Sequence, residues 1–136
     1  MPDKPSLLLL DDEPIVGKRL KPALEKLGLD VESFERPVEA VRRFEEKSFD
    51  IVVTDMRMDE MDGAEVIARV MQRSPGTKVI VISGCTMPDL AQKVREMGVF
   101  EFIAKPFVPD EIKAVVLKAI EAMGLELKPA GGEGAR

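Results

Sequence analysis

The sequence predicts an α/β fold, a doubly wound parallel sheet of five strands with helices on both faces. Three observations carry this. Short apolar runs alternate with helical periodicity along the 136 residues, as in successive βα units. The runs Leu7-Leu8-Leu9-Leu10, Ile51-Val52-Val53 and Val79-Ile80-Val81-Ile82 are wholly apolar, as strands covered on both faces should be. Turn and cap residues stand where these elements should begin and end.

Taken in order, strands are expected over 6–10, 30–34, 50–55, 78–83 and 99–103. Helices are expected over 14–27, 38–47, 64–73, 88–97 and 109–123. Pro14 suits a first helical position and Gly28 a helix end. Val16, Leu20, Leu24 and Leu27 form the inner stripe of the first helix. Pro22 lies inside that helix, removes a donor for the carbonyl of Lys18 and is expected to kink it. Val31-Glu32-Ser33-Phe34 alternates, which suits an edge strand. Asp62 and Glu65 are spaced like a capping box before the third helix. Gly76 and Gly98 fall in turns. Residues 1–127 form the expected domain, and 128–136, with three glycines, a flexible tail or linker stub.

Composition narrows the chemistry. There is no histidine, which excludes a histidine base, a His-ligated zinc and a phosphohistidine carried by this chain. Cys85 is the single cysteine, so neither a disulfide framework nor a thiolate metal site is available. Cys85 itself reads as a small buried or loop residue. A net charge of −5 without a basic run argues against nucleic-acid binding through this domain. The polar start and the lack of any long apolar run argue against a signal segment or a membrane span, and the cytoplasm is the expected location.

In an open parallel sheet, ligands bind beyond the carboxyl ends of the strands. The strand ends here are polar in a particular way. The first carries Asp11 and Asp12, the third Asp55, the fourth Ser83, and the fifth Lys105. These are contiguous if the strand order is 2-1-3-4-5, with acids of the first and third strands about one strand spacing, ~5 Å, apart. Carboxylates so close recruit a cation, and oxygen-only ligands favour Mg²⁺, with Mn²⁺ as the alternative. The cation would screen an incoming phosphoryl group so that one carboxylate can act as nucleophile. Lys105 would supply countercharge and Ser83 a donor to phosphoryl oxygens.

Taken singly, each residue has a plainer reading. Asp11 or Asp12 could cap the helix that starts at Pro14, Ser83 could be a turn residue, and Lys105 a solvated charge. Met56, Met58 and Met61 could pack the loop or face a partner. The combination is what carries the argument.

The segments Leu7 to Glu13 with Pro14, Val53-Thr54-Asp55-Met56-Arg57-Met58 with Met61-Asp62-Gly63, Val81-Ile82-Ser83-Gly84, and Phe102-Ile103-Ala104-Lys105-Pro106-Phe107 together resemble the receiver domain of two-component response regulators. The likeness runs in order from about Ser6 to Met123. It implies the flavodoxin-like sheet order above. It also implies phosphoryl transfer from the phosphohistidine of a sensor kinase, or from a phosphotransfer protein, to Asp55. Asp12 matches a direct Mg²⁺ ligand, Asp11 one acting through water, and the backbone carbonyl of Arg57 a third ligand beside Asp55. Ser83 and Phe102 match the switch pair, and Lys105 the active-site lysine, with a cis bond to Pro106. Such a protein is a signalling switch and not a conventional enzyme. Its implied partners are a kinase, a downstream effector or output domain, and a homodimer that depends on phosphorylation.

There are departures from the family pattern. Asp59 stands where proline is usual, Phe102 where tyrosine is common, and Ser83 where threonine is commoner. Val108 replaces a frequent capping aspartate before Pro109, which leaves the last helix without a side-chain cap. Two competing readings are a pseudo-receiver that binds partners without phosphorylation and a phosphatase of the haloacid-dehalogenase type. The intact acidic set opposes the first. Arg57, where the second needs an aspartate, opposes the other. A stand-alone regulator and a receiver from a longer protein are both compatible with the sequence.

Overall fold

A computed structural model describes residues 4–56, 61, 63–84 and 88–127. Elements alternate without exception: β1 (Ser6–Leu10), α1 (Pro14–Glu25), β2 (Asp30–Phe34), α2 (Pro37–Glu46), β3 (Ile51–Asp55), α3 (Gly63–Arg73), β4 (Lys78–Ser83), α4 (Pro88–Glu96), β5 (Glu101–Ala104) and α5 (Pro109–Ala122). All strand pairs are parallel, in the order β2-β1-β3-β4-β5. This is the order expected from the polar strand ends.

Strand alternation divides the core in two. Leu7, Leu9, Ile51, Val53, Ile80, Ile82 and Ile103 face α1 and α5, where Leu20, Leu24, Ile112 and Val116 meet them. Leu8, Leu10, Val52, Val79 and Val81 face α2, α3 and α4, against Phe44, Ile67, Val70 and Val94. Every residue from Leu7 to Leu10 is therefore buried, because both faces of the central strand are covered.

Helix α1 ends at Glu25, two residues short of the expected span. Leu27 lies in the closing turn yet still packs on the core, so its apolar periodicity outlasts the helix. Gly28 there takes φ of 103°, a left-handed conformation that favours glycine. Pro22 lies inside α1, and both it and Lys18 are exposed. The bond that Pro22 interrupts thus falls between two exposed residues of α1. Strand β5 starts at Glu101 rather than at 99: the ladder begins with Ile80 opposite Glu101, after the Gly98 turn.

The edge strand β2 is closed off by charge. Arg43 of α2 donates to both oxygens of Glu32, at 2.7 and 2.9 Å. Ionic groups along an edge discourage pairing with another sheet. The Arg43 hydrogen bonds hold Glu32 below its ordinary value of 4.5. Stability from this pair is therefore complete above pH 4.5 and lost as pH falls through the folded value. Glu32→Gln is expected to flatten the acid limb of stability; urea midpoints between pH 7 and pH 3 check this, and parallel limbs would contradict it.

At the start of α5, Val108 offers no side-chain acceptor, as expected from its type. Half of a capping box survives: Glu111 Oε1 accepts the Val108 N–H at 2.9 Å. Asp62 lies outside the described residues. Glu65, expected to pair with it, forms an ion pair with Arg69 at 3.0 Å.

Candidate functional site

The carboxyl edge of the sheet gathers the polar strand ends. Asp55 is the last residue of β3, and residues 51, 53 and 55 share the α1/α5 face by alternation. Asp11 extends β1 by one residue, its N–H bonding to the Phe34 carbonyl at 3.1 Å. Lys105 extends β5 in the same way, its N–H donating to the Ser83 carbonyl at 2.8 Å. Asp11, Asp55 and Lys105 thus fall on positions of one parity and meet above one face of the sheet.

Lys105 Nζ lies 2.9 Å from Asp11 Oδ2, 3.0 Å from Asp55 Oδ2 and 2.6 Å from Glu13 Oε1. The Asp11 and Asp55 side chains are 1% and 7% exposed, the Lys105 side chain 17%. Glu13, at the N-cap of α1, did not stand out as a site residue in the sequence. The signal available was its place as the third acid in a row, directly before Pro14. The Lys105–Pro106 bond is cis.

Burial, the largest cause, pushes the Asp11 carboxyl above its ordinary value of 3.8; the Glu13 N–H and Lys105 pull it back, and the Asp55 charge raises it again. Burial alone would lower the Lys105 ammonium. The carboxylates of Glu13, Asp11 and Asp55 together outweigh that and hold it well above its ordinary range.

The acids also suit a cation. One oxygen from each of Asp11, Asp12 and Asp55 can be chosen so that all three lie within 4.8 Å of one another. Asp11 is buried and Asp12 exposed, so the cluster opens to solvent on one side. Asp11 Oδ1 accepts the Glu13 N–H at 2.8 Å. Asp11 Oδ2 is buried and accepts no aligned hydrogen bond; its approach to Lys105 is an ion pair of poor hydrogen-bond alignment. A buried carboxylate oxygen left in that condition is suited to a metal or a metal-bound water. The donor set is oxygen alone, as hard divalent cations require.

Ser83 ends β4 fully buried, on the opposite parity from Asp55 and beside the α2/α3/α4 core. Phe102 pairs in register with Val81, so Ser83 and Phe102 share that face; Phe102 is half-buried against its core. The switch pair is therefore adjacent but set apart from the Asp11–Asp55–Lys105 group by strand parity. Met56 is buried in the core and Met61 packs against it, which favours packing for these two methionines. Arg57, Met58, Asp59 and Cys85 lie outside the described residues, as does the tail over 128–136.

The sheet order and the acidic edge define the doubly wound, flavodoxin-like class, with its binding site at the switch point of strand order. A family model described as the response regulator receiver domain matches residues 7–117, and the chain belongs to that family. It is 36% identical over 123 residues to the transcriptional regulatory protein GlrR of Escherichia coli (strain K12), covering 89% of this chain and 28% of that protein. It is 32% identical over 114 residues to the chemotaxis protein CheY of Listeria monocytogenes, covering 83% of this chain and 96% of that one. Among solved structures, a response regulator receiver domain protein from Clostridium thermocellum superposes with a TM-score of 0.81 at 28% identity, covering 88% of this chain and 97% of that one. The chain spans about a quarter of the length of the curated transcriptional regulators it matches. Receiver domains are signalling domains of two-component systems and generally bind Mg²⁺ at an acidic pocket. No helix among the described residues is long and apolar enough to cross a membrane.

Proposed function

We propose that this chain is a phosphorylation-controlled switch in which Asp55 takes a phosphoryl group from the phosphohistidine of a sensor kinase or phosphotransfer protein. The observation that carries this is the position of Lys105 Nζ between Asp11 and Asp55, at 2.9 and 3.0 Å, within a three-acid cluster. An Asp55 carboxylate oxygen forms the new bond to phosphorus while the P–N bond of the donor breaks. The electron pair of that bond stays on the donor imidazole, which takes a proton from water. Asp12, Asp55 and the Arg57 carbonyl, with Asp11 acting through water, are the residues we assign to Mg²⁺ or Mn²⁺. When bound, the ion neutralises charge on the phosphoryl oxygens. Lys105 offers its ammonium to the same oxygens, and the Ser83 hydroxyl is the donor that turns toward them.

The placement of Ser83 and Phe102 on one face supports the switch reading. Ser83 leaving its β4 position would open room for Phe102, its neighbour on the same face, and so alter the α4–β5–α5 surface read by an effector, an output domain or a second copy. Residues 1–127 are the unit we assign to this function, with 128–136 as tail or linker. The intact acid cluster is also what opposes a phosphorylation-independent interaction module.

Incubation with phosphoramidate and Mg²⁺ is expected to add the mass of one phosphoryl group to the wild type and none to Asp55→Asn. Equal gain in both, or none in either, would overturn the assignment.

A further inference from the structure

Glu13 makes the shortest contact in the site, 2.6 Å from Lys105 Nζ, and bridges 92 residues of sequence to do so. Its side chain is 59% exposed, whereas those of Asp11 and Asp55 are 1% and 7% exposed. These facts bear on how the lysine changes partners. An ammonium has three donors and meets three carboxylates here. Its contacts to Glu13 and Asp55 are hydrogen bonds and that to Asp11 is an ion pair of poor alignment, so turning toward a phosphoryl oxygen on Asp55 weakens either the bond to Glu13 or the pairing with Asp11. Asp11 is released less readily, because its side chain is buried and does not regain bulk water. Glu13 can be released, because its exposed carboxylate regains water at once.

We propose that Glu13 is a restraining residue: it holds Lys105 in the unmodified site and must let it go when Asp55 is phosphorylated. This rests on the assignment of Asp55 as phosphoacceptor. Two effects act in the same direction. The Glu13 carboxylate competes for the ammonium, and its negative charge repels the incoming phosphoryl group. Neutralising it therefore favours the modified state.

Among the described residues the Glu13 side chain makes no other hydrogen bond or ion pair. Glu13 is the N-cap residue of α1 but makes no side-chain cap hydrogen bond. Its contribution to Asp11 comes through its backbone N–H, which every substitution except proline keeps. Glu13→Gln keeps the size and removes the charge.

The test measures initial rates of phosphoryl uptake from phosphoramidate with Mg²⁺, by intact mass, for the wild type, Glu13→Gln and Glu13→Ala. At low salt both variants are expected to react about two- to five-fold faster than the wild type, the range an exposed ion pair commands. At 1 M salt, where the screening length is about 3 Å, the advantage should shrink toward unity. A residue with only a structural role would show no such salt dependence. A wild type that is modified while the variants react at its rate or slower overturns the restraining role and leaves the phosphoacceptor assignment standing. A wild type that takes up no phosphoryl group overturns both.

Discussion

Replacing Lys105 with methionine is expected to lower unfolding stability by about 3 kcal/mol at neutral pH and to slow phosphoryl uptake by roughly 10²- to 10³-fold. The stability loss comes from what is left behind. Asp11 and Asp55 are nearly inaccessible and Lys105 is the cation between them. Removing one partner of a buried pair costs roughly 3–5 kcal/mol, and the lower end applies because the lysine keeps some exposure. The rate loss is that of removing a charged donor from a developing phosphoryl charge. The pH dependence has a definite sign. The Lys105 ammonium is raised above 10.5, so its stabilisation is whole below pH 10.5 and is lost as pH rises through the folded value. The gap between wild type and Lys105→Met should therefore close in strong alkali. It should also narrow in acid, as Asp11, raised above 3.8, takes up its proton. Urea unfolding followed by far-ultraviolet circular dichroism checks both limbs. Equal stability of the two proteins at pH 7 would contradict the account.

Gly63→Ala is expected to cost about 1–3 kcal/mol and to depress phosphoryl uptake, although Gly63 carries no reacting group. A Cβ at that position would lie 2.6 Å from the Asp55 carbonyl oxygen, 2.7 Å from Met56 Cα and 2.8 Å from Met56 Sδ. Two of these are backbone atoms and cannot rotate away. The Gly63 N–H also bonds the Met56 carbonyl at 2.9 Å, which draws the start of α3 against the end of β3. Any shift that admits the methyl must therefore move the backbone that aims Asp55. Loss of activity should accompany loss of stability in this variant. Unchanged urea midpoint and unchanged uptake together would show that the loop yields freely.

The strand ends were legible in the sequence because two rules act there together. Side chains alternate along a strand, and a parallel ladder can run one residue past its formal end. Asp11 and Lys105 are placed by such extra backbone bonds, to Phe34 and Ser83, so reading the first polar residue after each apolar run found them. The same rule found Ser83 but not that it faces away from Asp55 and toward Phe102, which needs the register of β4 and β5. Apolar character misjudged two boundaries for one reason: it reports burial and not hydrogen bonding. Leu27 and Val99 both pack on the core while lying outside the elements they were assigned to. Glu13 escaped because its contact with Lys105 is long-range and made by an exposed side chain, which no local pattern marks. The closeness of Gly63 to Asp55 was hidden in the same way, since a glycine before a helix reads as an ordinary boundary.

The most direct test of the central claim is to locate the phosphoryl group. After reaction with phosphoramidate and Mg²⁺, borohydride reduces an acyl phosphate to the corresponding alcohol, and peptide mapping by mass spectrometry finds the altered residue. The account predicts the change at Asp55 and nowhere else. Modification at Asp11 or Asp12, or no acyl phosphate to reduce, would contradict it.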